Sequence, residues 1–262
     1  MIKLIISDLD GTLLTPDGKL PEKIFPLIRK LKEKSILFCA ASGRQLVTLR
    51  HLFEPVKDDI LYIAENGAVC AIADTVLRSL FLSRKETDKI LSEVSQINHI
   101  YPLYCTIDCA YYQDDDKTFT DFINASYFRS EKKNFDLLSD ILPCKIAVFD
   151  ELGPENNGFF PLTEKLKGLR VIQSGNGWMD VSDPRANKGD AVTFLQKHLG
   201  ISYEECAAFG DHMNDYEMLL ACKHAFVPEN AYPFLKEKFS NIIPSNKEGG
   251  VLQQIEKILA TC

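Results

Sequence analysis

The sequence lacks any apolar run close to the roughly 20 residues that a membrane-spanning helix needs. Its beginning shows no basic segment followed by an apolar core and a small-residue cleavage site, so we expect no secretory signal peptide. Positive charge is also scarce, because acidic residues outnumber basic ones and the net charge is −7. That balance argues against a nucleic-acid or anionic-membrane surface. These absences predict a cytoplasmic protein that binds neither membranes nor nucleic acids.

The eight cysteines are scattered, and no two of them have the Cys-x-x-Cys spacing. We therefore expect neither a zinc site nor a disulfide framework. Most of the cysteines lie inside apolar runs, which favours buried, reduced thiols. Internal repeats and low-complexity segments are missing as well. With 262 residues, the chain is long enough for one large α/β domain or for a core with a smaller insert.

Short apolar strands alternate with helix-like segments in residues 1–83 and again in residues 183–262. This rhythm predicts an α/β fold with a Rossmann-like, doubly wound parallel sheet. Residues 84–182 instead show hairpin-like strand spacing together with helices, which predicts an inserted α+β domain. We thus expect a core of residues 1–83 and 183–262 and a second domain of residues 84–182. The sequence pattern predicts no further strand between Ala64 and Ser83.

The segment Ile5-Ile6-Ser7-Asp8-Leu9-Asp10-Gly11 is the most informative in the chain. A buried strand ends here and delivers two aspartates whose side chains share one face, because strand residues i and i+2 point the same way. Two carboxylates so close repel each other unless a cation or a shared proton holds them. The alternative is an ordinary turn in which an aspartate bonds its own backbone.

Polar groups also follow other predicted strands. Ser42, Gly43 and Arg44 follow a strand at the start of a helix, an arrangement that binds anions or simply caps the helix. Lys188 begins a predicted helix, where the helix dipole disfavours a cation. A buried anion would explain this lysine, and the alternative is an ordinary surface lysine.

A third group, Asp211, Asn214 and Asp215, follows the predicted strand Cys206–Phe209 and offers oxygen ligands of the kind that favour Mg²⁺. The pair Asn66-Gly67 predicts a hairpin turn first of all. In an open parallel sheet the carboxyl ends of the strands share one edge, where ligands bind. Carboxylates, a hydroxyl and a lysine at that edge are typical of a phosphoryl-transfer site.

The motifs Asp8-x-Asp10-Gly-Thr-Leu-Leu, Ser42-Gly-Arg, Lys188-Gly and Gly210-Asp211-His-Met-Asn214-Asp215 resemble, in this order, those of the haloacid dehalogenase superfamily. The likeness is greatest to its Cof-type phosphatases, whose α+β (C2-type) cap is inserted between the second and third motifs. It covers the core segments, while residues 84–182 carry no motif that matches residue by residue. The resemblance implies a Mg²⁺-dependent hydrolase of phosphoric monoesters that works through an aspartyl-phosphate and whose cap sets substrate specificity.

The resemblance also implies a role for each matching residue. Asp8 would be the nucleophile and Asp10 the general acid and base. Mg²⁺ would be held by Asp8, by the backbone carbonyl of Asp10 and by Asp211. The remaining roles are phosphate binding by Leu9, Ser42, Gly43, Lys188 and Asn214, support by Thr12 and Asp215, and contact with the substrate by Arg44 and Asn66.

Two departures from the family pattern stand out. Ser42 occupies a position where threonine is common, which keeps the hydroxyl. Residues 225–231, Ala-Phe-Val-Pro-Glu-Asn-Ala, replace a smaller Gly-Asn-Ala turn, and we expect the bulkier residues to alter the floor of the pocket.

The expected partner is a small phosphorylated metabolite, for example a sugar phosphate. Two alternatives remain, a phosphomutase of the same superfamily and a catalytically silent binding module. The silent module predicts loss of the key acids and lysine, yet Asp8, Asp10, Lys188 and Asp211 are all present. The physiological substrate and the oligomeric state stay open, with a monomer favoured.

Overall fold

The computed structural model describes residues 1–175 and 177–261, and this part of the chain contains fourteen strands. In chain order they are β1 (Leu4–Asp8), β2 (Leu37–Ala41), β3 (Leu61–Ala64), β4 (Val69–Ile72), β5 (Thr75–Ser79), β6 (Ile100–Cys105), β7 (Ala110–Tyr112), β8 (Ser130–Lys132), β9 (Lys145–Asp150), β10 (Arg170–Gly175), β11 (Trp178–Ser182), β12 (Cys206–Phe209), β13 (His224–Pro228) and β14 (Ile242–Ile243).

The same residues form nine α-helices, and short single turns connect several of them to the strands. The helices are α1 (Ile24–Glu33), α2 (Leu46–Leu52), α3 (Arg84–Val94), α4 (Lys117–Ser126), α5 (Phe159–Lys165), α6 (Lys188–Leu199), α7 (Tyr216–Leu220), α8 (Pro233–Lys238) and α9 (Gly250–Ala260). In α1 the buried residues have the spacing of one helix face: Ile24, Leu27, Ile28 and Leu31.

The chain divides into two compact units. The first consists of residues 1–42, 49–78 and 187–262, and the second of residues 43–48 and 79–186. The second unit thus contains a short segment, Gly43–Thr48, that lies far from the rest of it in sequence. Within this unit the backbone N–H of Phe128 donates a hydrogen bond to Thr48 Oγ1 at 3.2 Å, which helps to explain the grouping.

The first unit is built on an eight-stranded sheet in the order β14-β13-β12-β1-β2-β3-β4-β5. The six strands from β14 to β3 run parallel to one another. The predicted α/β fold with a parallel sheet is therefore confirmed. The chain moves outward from β1 in one direction through β2 and β3 and later returns to its other side with β12. This reversal of strand order is the arrangement that opens a crevice at the carboxyl ends of the strands.

One edge of this sheet differs from the prediction. The Asn66-Gly67 turn does form a hairpin, because β4 pairs with β3 in the antiparallel direction. The two strands that follow, β4 and β5, have no counterpart in the sequence analysis. β4 is a run of only four apolar residues and β5 contains polar ones, so that pairing with the existing sheet is what reveals them as strands.

β1 lies in the interior of the eight-stranded sheet and is covered on both faces. All five of its residues are buried, and Leu4 and Ile6 pack against side chains of α6 and α7. Ile5 points to the opposite sheet face by strand alternation and is also fully buried. A strand covered on both faces carries a continuous apolar run and has no polar side chain until its end. The first acid in the run, Asp8, therefore stands at the carboxyl edge.

The second unit contains a six-stranded sheet in the order β10-β11-β9-β6-β7-β8. Four of its five pairings are antiparallel. The fifth, between β7 and β8, is parallel, because the intervening helix α4 brings the chain back to the same end. Helices α3 and α5 pack on one face of the sheet, and α4 packs on the other through Phe119 and Ile123. The unit has the α+β character that its strand spacing predicts.

None of the helices in residues 1–175 and 177–261 has the length and apolar character to cross a bilayer. The seven cysteines within this part of the chain are buried free thiols: Cys39, Cys70, Cys105, Cys109, Cys144, Cys206 and Cys222.

Candidate active site

The end of β1 meets the start of α6 in a buried ion pair. Lys188 Nζ donates a hydrogen bond to Asp8 Oδ1 at 2.5 Å and another to Asp215 Oδ1 at 2.6 Å. Asp8 is 5% exposed, Lys188 1% and Asp215 0%. The contact explains why a lysine begins a helix in spite of the dipole, since its charge is directed toward two carboxylates instead of solvent. We call these three residues the acid–lysine triad.

Asp215 also holds the loop that follows β12. Its second oxygen, Oδ2, accepts hydrogen bonds from the backbone N–H groups of Asp211 at 3.0 Å and His212 at 3.1 Å. The nearby Asp211 Oδ1 accepts a bond from the hydroxyl of Thr12 at 2.8 Å. The loop after β1 and the loop after β12 are thereby joined by side chains 199 residues apart in sequence.

Three carboxylates gather in this space. One oxygen from each of Asp8, Asp211 and Asp215 lies within 4.8 Å of the others. Burial raises the pKa of Asp8 well above its usual range, and the neighbouring Asp215 raises it further, against the lowering effect of Lys188. Burial and Asp215 likewise raise the pKa of Asp211. The site therefore carries an excess of negative charge that a cation would relieve.

The opposite shift holds the lysine in its charged form. Burial by itself lowers the pKa of Lys188, but Asp215 and Asp8 outweigh burial, and the pKa lies above its usual range. Lys188 is thus a permanent cation near neutral pH and can neutralise an anion at the Asp8 carboxylate.

Two glycines permit the close approach of these loops. Gly11 has φ of +83°, and a Cβ at this position would lie 2.2 Å from Asp211 Oδ2. Gly67 has φ of +102°, and a Cβ there would lie 2.3 Å from the backbone oxygen of Asn187. Any larger residue would push the Asp10 loop or the hairpin turn away from the acid–lysine triad.

The Asn66-Gly67 hairpin turn adds further polar groups to the site. Its Asn66 is 6% exposed, and its Oδ1 accepts a hydrogen bond from Asn214 Nδ2 at 3.2 Å. Its backbone N–H donates to the carbonyl of Ser42 at 3.0 Å. Ser42 is itself buried at the end of β2, and its N–H donates to Ile63. Ser42, Asn66 and Asn214 therefore belong to one connected network.

The predicted site residues Leu9, Asp10, Gly43 and Arg44 differ in burial and in the unit to which they belong. Leu9 is fully buried directly after β1, whereas Asp10 is exposed on the loop. Gly43 and Arg44 belong to the second unit. Within that unit, the buried lysine Lys145 donates hydrogen bonds to the Gly43 carbonyl and to Asp180, each at 3.0 Å. Contact of Arg44 and Asn66 with a substrate stays a prediction.

Three residues near the site have no individual role in the sequence analysis, where Asn230 appears only within residues 225–231. Arg78 donates to the Gly67 carbonyl at 3.0 Å and to Asp190 on the first turn of α6 at 2.6 Å. Asn230 and Asn246 bond the backbone of the loop that carries Asp10. No local pattern marks these residues, because their partners lie between 11 and 232 positions away.

The donor set fits a magnesium ion. All three gathered side chains offer oxygen, and the described residues place no cysteine or histidine in the cluster. Both oxygens of Asp215 already accept N–H bonds, which leaves Asp8 and Asp211 as the better side-chain ligands. The raised pKa values of these two acids agree with a site built around a cation.

Residues 5–255 match the family model described as haloacid dehalogenase-like hydrolase. The match extends over most of all three sequence segments of the first unit and over the whole second unit. The chain therefore belongs to the haloacid dehalogenase-like hydrolase family.

Two curated relatives from Escherichia coli K12 are phosphatases. The HMP-PP phosphatase is 28% identical over 264 residues, which cover 92% of this chain and 89% of the relative. The 5-amino-6-(5-phospho-D-ribitylamino)uracil phosphatase YbjI is 30% identical over 266 residues, with coverage of 98% and 96%. The prediction of a phosphatase that acts on phosphoric monoesters is confirmed at the level of this family.

Structural comparison supports the fold separately. A crystal structure of a protein from Streptococcus mutans UA159 matches with a TM-score of 0.89 and 24% identity. The match covers 99% of this chain and 100% of that one. The two proteins therefore share the same fold.

Proposed function

We propose that this protein hydrolyses small phosphorylated metabolites through an aspartyl-phosphate on Asp8. The acid–lysine triad is the observation that carries the proposal. The buried Asp8 carboxylate lies 2.5 Å from the Lys188 ammonium. This cation can also attract a phosphate. Among the described residues this pairing occurs at the carboxyl edge of the sheet, where open α/β folds bind ligands.

In the first step an Asp8 oxygen attacks phosphorus, and the bond from phosphorus to the ester oxygen breaks. Asp10 gives its proton to the departing oxygen. Lys188 and the Ser42 hydroxyl hold phosphoryl oxygens and stabilise the charge that develops on them. In the second step Asp10 takes a proton from water, the water oxygen bonds to phosphorus, and the bond to Asp8 breaks to release phosphate.

Mg²⁺ is the cofactor in this proposal, held by Asp8, Asp211 and the backbone carbonyl of Asp10. When bound, it neutralises the phosphate and lets an anionic carboxylate approach. Thr12 orients Asp211 through the 2.8 Å hydrogen bond. Asp215 holds Lys188 and the Asp211 backbone, so that it positions both groups without touching the substrate. Asn214 lies beside Asn66 and would contact a phosphoryl oxygen.

Specificity belongs in this proposal to residues 84–182. They form the insert between the Ser42 and Lys188 motifs and carry none of the phosphoryl-transfer residues. The substrate is a small-molecule phosphate ester, and neither nucleic acid nor membrane is involved. The buried free thiols of the described residues support a cytoplasmic location.

A panel of phosphate esters tests the proposed function. Purified protein is incubated with Mg²⁺ and sugar phosphates, nucleotides, phosphorylated cofactor precursors and p-nitrophenyl phosphate, and released phosphate is measured. We expect turnover of several esters with one class preferred. Absence of phosphate release from every ester, in folded protein containing Mg²⁺, would contradict the proposal.

Metal removal should abolish activity reversibly. Treatment with EDTA is expected to lower turnover by at least about 10²-fold, because the three carboxylates then repel the phosphate. Addition of Mg²⁺ should restore it. Calorimetry should also detect proton release on Mg²⁺ binding, larger at pH 5 than at pH 8, because the raised pKa values of Asp8 and Asp211 leave more protons to displace at low pH. Full activity in exhaustively chelated protein would exclude a metal role.

Replacing residues 84–182 by a short flexible linker tests the role of the insert. We expect the variant to hydrolyse p-nitrophenyl phosphate with Mg²⁺, because the triad lies entirely in the first unit, but to lose its preference among metabolite esters. Circular dichroism provides the control for folding. An unchanged order of preference in the folded variant would assign specificity to the core instead.

A further inference from the structure

The loop that carries Asp10 is buried at Leu9, Thr12, Leu13 and Leu14 but reaches the surface at Asp10 and Gly11. It turns at Gly11, where φ is +83°, and the Asp10 side chain is exposed. A proton donor must reach within about 2.6–3.2 Å of its target atom. An exposed side chain on a loop keeps such a position only if the backbone beneath it is held in place.

Two asparagines bond this backbone. Asn230 Nδ2 donates to the Gly11 carbonyl at 2.7 Å, and Asn246 Nδ2 donates to the Leu14 carbonyl at 2.8 Å. The bonded residues are separated by 219 and 232 positions in sequence. The two carbonyls lie just after Asp10 and at the end of the loop, so that the asparagines hold it at two points.

The asparagines also bond each other. The backbone N–H of Asn246 donates to Asn230 Oδ1 at 2.9 Å. Because this bond requires an oxygen on that side of the Asn230 amide, the amide nitrogen must face Gly11. The two contacts therefore form one network, which we call the asparagine clamp. The same loop is also tied to Asp211 by the Thr12 hydroxyl.

We infer that Asn230 and Asn246 are positioning residues that hold Asp10 for proton transfer to the leaving oxygen. The inference rests on the proposed function, in which Asp10 is the general acid. Loss of either amide donor would let the loop shift, and misplacement of a reacting group by 1 Å can lower a rate about 10²-fold. The bulky 225–231 segment thus supports the catalytic loop through Asn230, a role distinct from shaping the pocket floor.

The variants Asn230→Asp and Asn246→Asp isolate the donors, because aspartate keeps the shape and the oxygen but loses the amide N–H. Asn230→Ala repeats the test without added charge. The matched control is Asn241→Asp, since Asn241 Nδ2 also donates to a backbone carbonyl, that of Ala225 at 3.0 Å, in the same unit. Each melting temperature is measured to verify folding.

The readout compares kcat/KM for two kinds of ester. p-Nitrophenyl phosphate has a leaving group that needs little protonation, whereas an alkyl phosphate from the panel needs the general acid. We expect the clamp variants to lose about tenfold on the alkyl ester, a part of the 10²–10⁴-fold that general acids contribute. Their loss on p-nitrophenyl phosphate, measured at saturating Mg²⁺ because the Asp10 carbonyl is also a proposed metal ligand, should stay under about twofold, and Asn241→Asp should change neither value beyond that.

The outcomes separate this inference from the proposed function. An unchanged ratio between the two esters in all clamp variants, with active wild-type protein, overturns the inference alone. An equal loss on both esters also overturns it, because general loosening of the fold would then explain the effect. Wild-type protein that releases no phosphate from any ester contradicts the proposed function itself.

Discussion

The variant Asp8→Asn is expected to lose turnover of every phosphate ester, by on the order of 10⁴-fold or more. The amide that replaces the carboxylate has no charge and is a poor nucleophile toward phosphorus. The fold should survive, because asparagine has nearly the same shape and its Oδ1 can still accept the hydrogen bond from Lys188. Removal of the charge also relieves repulsion from Asp215 and Asp211, which raises the pKa of Asp8 in the wild type.

Phosphate release and melting temperature are measured together on this variant. Asp17→Asn is the control, because Asp17 is an exposed acid that also pairs with a lysine, Lys19. Activity of the control should equal that of the wild type. Residual activity of Asp8→Asn that persists through repeated purification, in folded protein, would exclude Asp8 as the nucleophile.

The variant Lys188→Met should lose both activity and stability. Its ammonium lies between Asp8 and Asp215 with no side-chain exposure, and methionine fills the space without the charge. Two buried carboxylates are then left without their cation. Breaking such a pair typically costs about 3–5 kcal/mol of unfolding free energy, which urea denaturation can measure at pH 7.

The pH dependence and a second substitution test the cause of this loss. Without Lys188, whose charge lowers it, the folded-state pKa of Asp8 rises further above its unfolded value. The loss of unfolding free energy relative to the wild type should therefore shrink as the pH falls toward 5, because protonation then neutralises the carboxyl. Adding Asp215→Asn to Lys188→Met should recover part of the stability but none of the activity. A single variant as stable as the wild type at pH 7 would contradict the charged triad.

The carboxyl ends of the core strands could be placed from local pattern alone. Asp8 ends a five-residue buried strand, Ser42 follows the next one, and Lys188 begins α6, as their neighbours in sequence predict. The Asn66-Gly67 hairpin was also predictable, because the turn depends on the backbone freedom of two adjacent residues. Apolar periodicity and turn chemistry act over a few residues, so a sequence displays them directly.

Only the tertiary structure decided which of these groups touch. The Lys188–Asp8 bond spans 180 positions and the Asn230–Gly11 bond 219, and both depend on the order of strands in the sheet. The same holds for β4 and β5, which become strands by pairing with an existing edge, and for Gly43–Thr48, which groups with the second unit. The sequence alone therefore determined the elements and the chemistry available at their ends. Distances, burial and the resulting pKa shifts arise from contacts between distant segments, which are made only when the chain has folded.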